Sequence, residues 1–193
     1  MNVKQIAYFD TPGGENTGAV AQAVKARCAE LGIRHVVVAS CSGATALKLW
    51  EALEGLGVAV VCVAEHAGYD GGDAPSLTSE ERRALDDKGI QVLVCSHALS
   101  GVARSITRKF GGVSHVEVIA HTLRLFGTDG IKVAVEVAVM AADAGLVPTD
   151  REIIAVGGTA GGADTAIVLK AAHMNNFFDL EIREIIAKPR QRE

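Results

Sequence analysis

Three hydroxyl side chains and a glycine lie within six consecutive residues, where Ser40, Ser42 and Thr45 surround Gly43. The β-branched run before them predicts a strand, and the amphipathic segment after them predicts a helix that starts at Gly43. A helix start presents unpaired N–H groups and the positive end of its dipole. We therefore predict a phosphate-binding loop of Ser40, Ser42, Gly43, Ala44 and Thr45. The alternative is that Ser42 only caps the helix and Gly43 only makes a turn.

Polar and glycine-rich segments follow four other predicted strands. In a doubly wound sheet, ligands bind outside the carboxyl ends of the parallel strands, so these segments share one rim with the 40–45 loop. The segment 66–77 is either a lid over the ligand or a mobile connection, and each of the other segments is either part of a pocket or an ordinary surface turn. The candidate ligand-binding residues from these segments are Asn16, Thr17, His66, Gly68, Ser96, His97, Gly157, Gly158, Thr159, Ala163 and Asp164.

A reactive thiol is one possible source of chemistry at this rim. Cys41 lies beside a helix N-terminus, which lowers a thiol pKa and favours the thiolate, and His66 and His97 are potential bases. The alternative is that the thiol packs behind the loop and that the histidines are ordinary polar loop residues. The sequence predicts no catalytic set.

Charged residues on two predicted helices are further candidates. Glu136 follows Lys132 by four residues in an otherwise apolar segment, and it either pairs with that lysine or hydrogen-bonds a ligand. Asp143 lies seven residues further along the same face. A basic group on the other helix would either meet a phosphate or form a solvated face, and it consists of Arg104, Arg108 and Lys109.

Strand and helix patterns alternate along the chain, which predicts a parallel sheet built from βαβ units. The predicted strands are residues 5–9, 36–39, 58–64, 91–95, 153–156, 165–169 and 181–186, and the first three helices are residues 17–31, 43–53 and 79–87. The expected fold class is α/β, with three α/β/α layers, a mostly parallel doubly wound sheet and a β-rich, partly antiparallel carboxy-terminal part. We expect residues 1–193 to form a single domain.

Two local signals place further helices. Thr78 with Glu81, and Ser114 with Glu117, have the spacing of capping boxes at helix starts. The apolar segment that begins at Lys132 fits both the strand and the helix period, and its length favours a buried helix that ends at Gly145.

Composition indicates a globular domain with ample material for a core, because the 193 residues are 49% apolar and carry a net charge of −4. A pI near 5.9 argues against a nucleic-acid partner. No apolar segment reaches the length that spans a bilayer and no leader pattern opens the chain, so we expect no membrane partner and a cytoplasmic location. Neither disulfides nor a metal site are predicted from the spacing of Cys28, Cys41, Cys62 and Cys95.

Two stretches, residues 40–45 and residues 153–165, resemble the C-terminal α/β domain of pyruvate kinases. The resemblance is closer to a group of small stand-alone proteins, chiefly archaeal, that share this fold. In pyruvate kinases a loop of the form S/T-x-S-G-x-T/S binds one phosphate of an allosteric sugar bisphosphate, and the sequence Ser-Cys-Ser-Gly-Ala-Thr of residues 40–45 fits that pattern. The barrel that carries kinase catalysis has no counterpart, so the resemblance does not imply pyruvate kinase activity.

The resemblance also implies a ligand. The stand-alone relatives look like binders of flavin mononucleotide (FMN), whose 5′-phosphate would suit the 40–45 loop. Where pyruvate kinases have aromatic and basic residues in the second loop, this chain has glycine, threonine, alanine and Asp164, which makes a sugar bisphosphate a poorer fit.

The expected function is the binding of a phosphorylated small molecule, with FMN as the favoured cofactor. One alternative is an enzyme that acts on a phosphorylated metabolite by thiol or flavin chemistry. Another is a regulatory or structural subunit without catalysis. The chain is also a candidate homo-oligomer.

Overall fold

The computed structural model describes residue 1 and residues 3–192. Its strands are β1 (Ala7–Phe9), β2 (His35–Ala39), β3 (Ala59–Ala64), β4 (Gln91–Val94), β5 (Glu152–Gly157), β6 (Thr165–Lys170) and β7 (Glu181–Pro189). They form a seven-stranded sheet in the order β1-β7-β6-β5-β2-β3-β4. Only β6 runs antiparallel to its neighbours, and the other pairs are parallel. The expected mostly parallel sheet with a partly antiparallel carboxy-terminal part is confirmed.

Up to β4 the helices alternate with these strands, as the βαβ pattern predicts, whereas three consecutive helices join β4 to β5. They are α1 (Thr17–Leu31), α2 (Ala44–Leu53), α3 (Ser79–Asp86), α4 (Gly101–Phe110), α5 (His115–Arg124) and α6 (Asp129–Asp143), with short 3-10 turns at Gly14–Asn16 and Met174–Asp179. Both predicted capping boxes form, one at Thr78 and one at Ser114. The ambiguous segment from Lys132 is helical, and Gly145 with φ of +70° follows its end.

Two apolar cores lie on opposite faces of the sheet, which gives the expected three layers. On one face α1, α2 and α3 bury side chains such as Val24, Leu49 and Leu85 against the strands. On the other face α6 supplies most of the core, with α5 packed against it. The helix α6 is therefore buried over nearly its whole length.

Close packing of α6 explains one glycine at the end of β5 and another in the first turn of α6. A Cβ atom on Gly157 would lie 2.9 Å from the backbone nitrogen of Ala134, and a Cβ atom on Gly130 would lie 2.7 Å from a carboxylate oxygen of Asp164. The first turn of α6 therefore crosses the sheet at backbone distance, because neither position has room for a side chain.

The first strand differs from its predicted bounds. It begins at Ala7 rather than at residue 5, because its only partner is the end of β7 and the pairing covers three residues, Ala7 to Phe9. Strand β7 in turn extends to Pro189, beyond the predicted end at residue 186. Among the helices of the described residues, none combines the length and the hydropathy that crossing a membrane requires.

Candidate functional site

A cavity of about 440 Å³ opens at the carboxyl ends of β2 and β5. It lies between the 40–45 loop and residues 158–164, which join β5 to β6 and are called here the second glycine-rich loop. The chain leaves these adjacent strands in opposite directions, from β2 to β3 on one side and from β5 to β6 on the other. Ligands of open α/β sheets bind at such a switch point. The volume also lies within the range of about 300–1,000 Å³ that is typical of small-molecule sites.

The 40–45 loop forms one wall of this cavity through Ser40, Ser42 and Thr45. The N-cap residue of α2 is Gly43, with φ of +78°. The Ser40 hydroxyl oxygen accepts a hydrogen bond from the backbone N–H of Thr45 at 3.2 Å. The alternative that Ser42 caps the helix is therefore wrong, because the N-cap residue is Gly43. The left-handed turn at Gly43 brings the Ser40 hydroxyl to the helix start and leaves the exposed Ser42 at the cavity.

Gly43 and Ala44 do not line the cavity. A Cβ atom on Gly43 would lie 2.8 Å from a methyl carbon of Leu85, so packing against α3 requires glycine there as much as the positive φ does. Within the described residues, the N–H groups of Ala44 and Ala46 have no acceptor, so the first turn of α2 keeps two free donors.

Aromatic rings lie at the mouth of the cavity. Tyr69 and His97 line it, and their ring centroids are 5.1 Å apart. His66 packs edge-on against both rings, at 5.9 Å from Tyr69 and 5.2 Å from His97, but does not line the cavity itself. Burial is the main cause that lowers the pKa of His97, and Lys132 lowers it further while Glu136 opposes the shift. The imidazole of His97 is therefore held toward its neutral form.

An ion pair inside the fold forms the opposite wall. Lys132 and Glu136 on α6 are each at least nine-tenths buried and bonded to one another, which confirms that Glu136 pairs with the preceding lysine. The other carboxylate oxygen of Glu136 accepts the backbone N–H of Leu99 at 2.7 Å. The pair therefore anchors the β4–α4 connection to α6, and both of its members line the cavity.

Two arginines enter the cavity from the helices beside it. Arg124 of α5 forms an ion pair with Asp129, and both line the cavity. Arg104 of α4 lines it without an ion pair to any described residue. The other basic residues of α4, Arg108 and Lys109, are exposed and do not line the cavity, whereas Asp143 bonds instead to His173 and the N–H of Met174.

The thiol of Cys41 does not have the lowered pKa that its position beside a helix start predicts. Partial burial of the sulfur, together with the carboxylates of Glu65 and Asp70, raises its pKa to about 12, although the residue as a whole is exposed. The alternative of a thiolate favoured by the helix start is not supported, because lost solvation and nearby negative charge raise the thiol pKa.

The second glycine-rich loop meets the cavity mainly through backbone, at Gly158, Ala160, Gly161 and Gly162. Its charged side chain, Asp164, is fully buried and accepts hydrogen bonds from the N–H of Gly13 at 3.1 Å and the Thr165 hydroxyl at 2.7 Å. Asp164 therefore holds the loop in place and does not line the cavity.

Residues at the start of α1 complete this support. The Thr17 hydroxyl accepts the N–H of Ala163 at 3.0 Å and donates to the Gly14 carbonyl at 2.6 Å. The Asn16 amide donates to the carbonyls of Thr11 and Gly13 within its own turn. Neither side chain lines the cavity.

The structure thus brings together only part of the predicted set. The predicted residues that line the cavity are Ser40, Ser42, Thr45, His97 and Gly158. Those that lie outside its lining are Asn16, Thr17, Gly43, Ala44, His66, Gly68, Ser96, Gly157, Thr159, Ala163 and Asp164. Lining residues that were not among the predicted set include Glu65, Tyr69, Arg124, Asp129, Ala160, Gly161 and Gly162. Of these, Glu65 and Tyr69 lie in the segment after β3, and Ala160, Gly161 and Gly162 lie in the second glycine-rich loop, so the sequence had placed their segments at the rim. Arg124 and Asp129 had no such sequence signal.

No group of three or more His, Cys, Asp and Glu side chains is arranged to hold a metal ion in the described part of the chain. The residues that could hold a ligand are instead the hydroxyls and free N–H groups of the 40–45 loop, the rings at the mouth and the cations of α4, α5 and α6.

A family model described as the pyruvate kinase alpha/beta domain matches residues 18–169. The match covers more than three quarters of the chain and includes β2 to β5, almost all of β6 and the whole 40–45 loop. Strands β1 and β7 lie outside it. The chain belongs to the pyruvate kinase α/β-domain family.

Proposed function

We propose that this member of the pyruvate kinase α/β-domain family binds a phosphorylated small molecule in the cavity between β2 and β5, and that the ligand is FMN. The observation that carries the proposal is the cavity wall at the start of α2. There the hydroxyl of Ser42 and the free N–H groups of Ala44 and Ala46 lie at one helix N-terminus, beside a space of ligand size.

The phosphate would bind on the 40–45 loop. A helix N-terminus favours an anion through its dipole and its unpaired N–H groups. The hydrogen bond from the Thr45 N–H to the Ser40 hydroxyl holds the loop in shape before a ligand arrives. Less ordering is then required on binding, which favours affinity.

The rings at the cavity mouth support a ligand with a planar aromatic part. Tyr69 and His97 present π surfaces within the lining, and the pKa shift of His97 favours its neutral, less hydrated form. Flat ring systems stack on such side chains. The isoalloxazine of FMN is a ring of this kind.

The charges of the lining favour a monophosphate over a more highly charged ligand. The cations Arg104, Arg124 and Lys132 are matched in number by the carboxylates Glu65, Asp129 and Glu136. Of the cations, only Arg104 is without a carboxylate partner among the described residues. A bisphosphate would need more unpaired positive charge than this lining offers.

Titration with FMN, measured by quenching of flavin fluorescence, tests the proposal on the wild-type protein and two variants, Ser42→Ala and Ser79→Ala. Ser42→Ala removes one exposed hydroxyl from the cavity wall, and Ser79→Ala removes an exposed hydroxyl at the start of α3, outside the cavity. We expect Ser42→Ala to weaken FMN binding by roughly 10- to 100-fold, the value of a hydrogen bond to a charged group. We expect Ser79→Ala to bind as the wild type does. Equal affinity of all three proteins, or no quenching by the wild type, would contradict the proposal.

A further inference from the structure

The helix α4 has its apolar face directed to solvent. Val102, Ile106 and Phe110 are spaced four residues apart, so they form one stripe along the helix. Their exposed fractions are 76%, 50% and 79%, and α4 has no buried residue. The other side carries Arg104, which lines the cavity. An amphipathic surface helix normally buries its apolar stripe, and α4 does the reverse.

The neighbouring segment also exposes large apolar side chains. The Thr107 hydroxyl of α4 bonds to Glu117 of α5, and Arg104 and Arg124 reach the same cavity. The two helices therefore run back along one another as a hairpin. Four large apolar side chains on its connection, on α5 and just beyond are more than half exposed, namely Val113, Val118, Leu125 and Phe126.

We propose that the exposed stripe of α4 is the contact surface for a second copy of this chain, in a two-fold arrangement centred on Ile106. In an antiparallel pair of α4 helices, Ile106 meets its own counterpart, and the smaller Val102 faces the larger Phe110 of the other copy. A two-fold interface requires a surface that is complementary to itself, and this stripe has that property. Its side chains are all apolar, so the pairing places no like charges opposite one another along it.

The exposed apolar area of the hairpin is close to the area that a dimer interface buries. Seven large apolar side chains of the hairpin are half or more exposed. Each of these side chains exposes on the order of 100 Å² of apolar area. Together they provide nearly the roughly 800 Å² that each partner buries in a standard interface. A monomer rarely exposes that much apolar surface. Such a surface is covered in the stable form of a protein, because burial of apolar area is the main driving force for association.

The distribution of charge distinguishes a second copy from a lipid surface. Helices that lie on anionic membranes carry lysine and arginine beside the apolar face. In α4, both Arg104 and Arg108 lie on the opposite side of the helix from Ile106, because they are offset from it by two residues. Lys109 alone lies beside the stripe.

Sedimentation equilibrium of the purified chain without added ligand tests this proposal. Ile106→Asp places a charge at the predicted two-fold axis. Phe178→Asp is the matched control, since Phe178 is 86% exposed and lies on the 3-10 turn before β7, outside the hairpin. Both substitutions are at exposed positions, so far-ultraviolet circular dichroism and the melting temperature should stay close to those of the wild type.

We expect a wild-type dimer, a dimer of Phe178→Asp with the same association constant, and a loss of at least about 100-fold in that constant for Ile106→Asp. A wild type that remains monomeric up to submillimolar concentration would overturn the proposal. So would a dimeric Ile106→Asp, or equal weakening by both substitutions. Because flavin is not part of the measurement, the result does not depend on the ligand proposed above.

Discussion

The 40–45 loop and the second glycine-rich loop follow adjacent parallel strands and were both predicted to bind a ligand, yet they use their polar groups differently. The 40–45 loop lines the cavity with the hydroxyl-bearing residues Ser40, Ser42 and Thr45. In the second glycine-rich loop, the one charged side chain, Asp164, makes hydrogen bonds inside the fold, and the loop lines the cavity mostly with backbone. A polar loop at the rim of a sheet can therefore either line a ligand cavity or stabilise the fold. The hydrogen-bond partners of its polar groups decide between these roles.

Replacement of Asp164 should break the structural loop most severely. Asp164→Ala removes the acceptor of two hydrogen bonds inside the fold, next to the first turn of α6, whose dipole favours a carboxylate. We expect a loss of about 3–5 kcal/mol in the free energy of unfolding. Asp164→Asn keeps an oxygen acceptor and should cost clearly less. Urea unfolding of both variants checks this, and a stable Asp164→Ala would show that the side chain has no supporting role.

Two glycines of the same loop give a sharper comparison. Gly162 has φ of +68°, and a Cβ atom there would lie 2.6 Å from the Thr17 hydroxyl oxygen. A Cβ atom on Gly161 would have no atom within 4 Å. We expect Gly162→Ala to lower the free energy of unfolding by about 2–4 kcal/mol and Gly161→Ala to change it by less than about 0.5 kcal/mol. Chemical denaturation of the pair measures the difference. Equal costs would contradict the described path of the loop.

Protonation of His97 should link the cavity to stability. The pKa of His97 in the folded protein lies below 6.5, the ordinary value that applies to the unfolded chain. Between the folded and the unfolded pKa, the unfolded chain therefore binds more protons than the native one. Stability should therefore fall as the pH decreases below about 6.5. His97→Gln should make this fall shallower without abolishing it, because burial and Arg151 also lower the pKa of His35. Melting temperatures from pH 8 to pH 5 provide the test, and an unchanged slope in His97→Gln would contradict the shift.

Cys41 should have the smallest effect of the residues at the first loop. Because its pKa is raised to about 12, almost no thiolate exists near neutral pH. We expect slow reaction with a disulfide reagent at pH 8 and an FMN affinity of Cys41→Ser within about 2-fold of the wild type. Rapid labelling of Cys41, or a large loss of FMN affinity in Cys41→Ser, would contradict this prediction and indicate a functional thiol.

Local signals in the sequence predicted the elements and the order of layers well. The capping hydroxyls of Thr78 and Ser114, and Gly145 after α6, specify helix ends through short-range hydrogen bonds and backbone angles. The alternation of strands and helices likewise predicted the parallel sheet and the rim at which the cavity opens.

The composition of the cavity could not be predicted in the same way. Asp164 and Thr17 have residue types suited to ligands, and only long-range contacts, to Gly13 and Ala163 respectively, reveal their supporting roles. Arg124 enters the lining because α5 folds back along α4, an arrangement that no local pattern encodes. The pKa of Cys41 depends on Glu65 and Asp70, which come from another loop.

We propose that the 40–45 loop binds a phosphate, and comparison of FMN with riboflavin on the wild-type protein tests this most directly. The two ligands share the ring system and differ in the 5′-phosphate. Fluorescence quenching should give an affinity for FMN at least about 100-fold higher than for riboflavin, because the helix start and the Ser42 hydroxyl bind the phosphate. Equal affinities would contradict the account, and so would a failure of both flavins to bind.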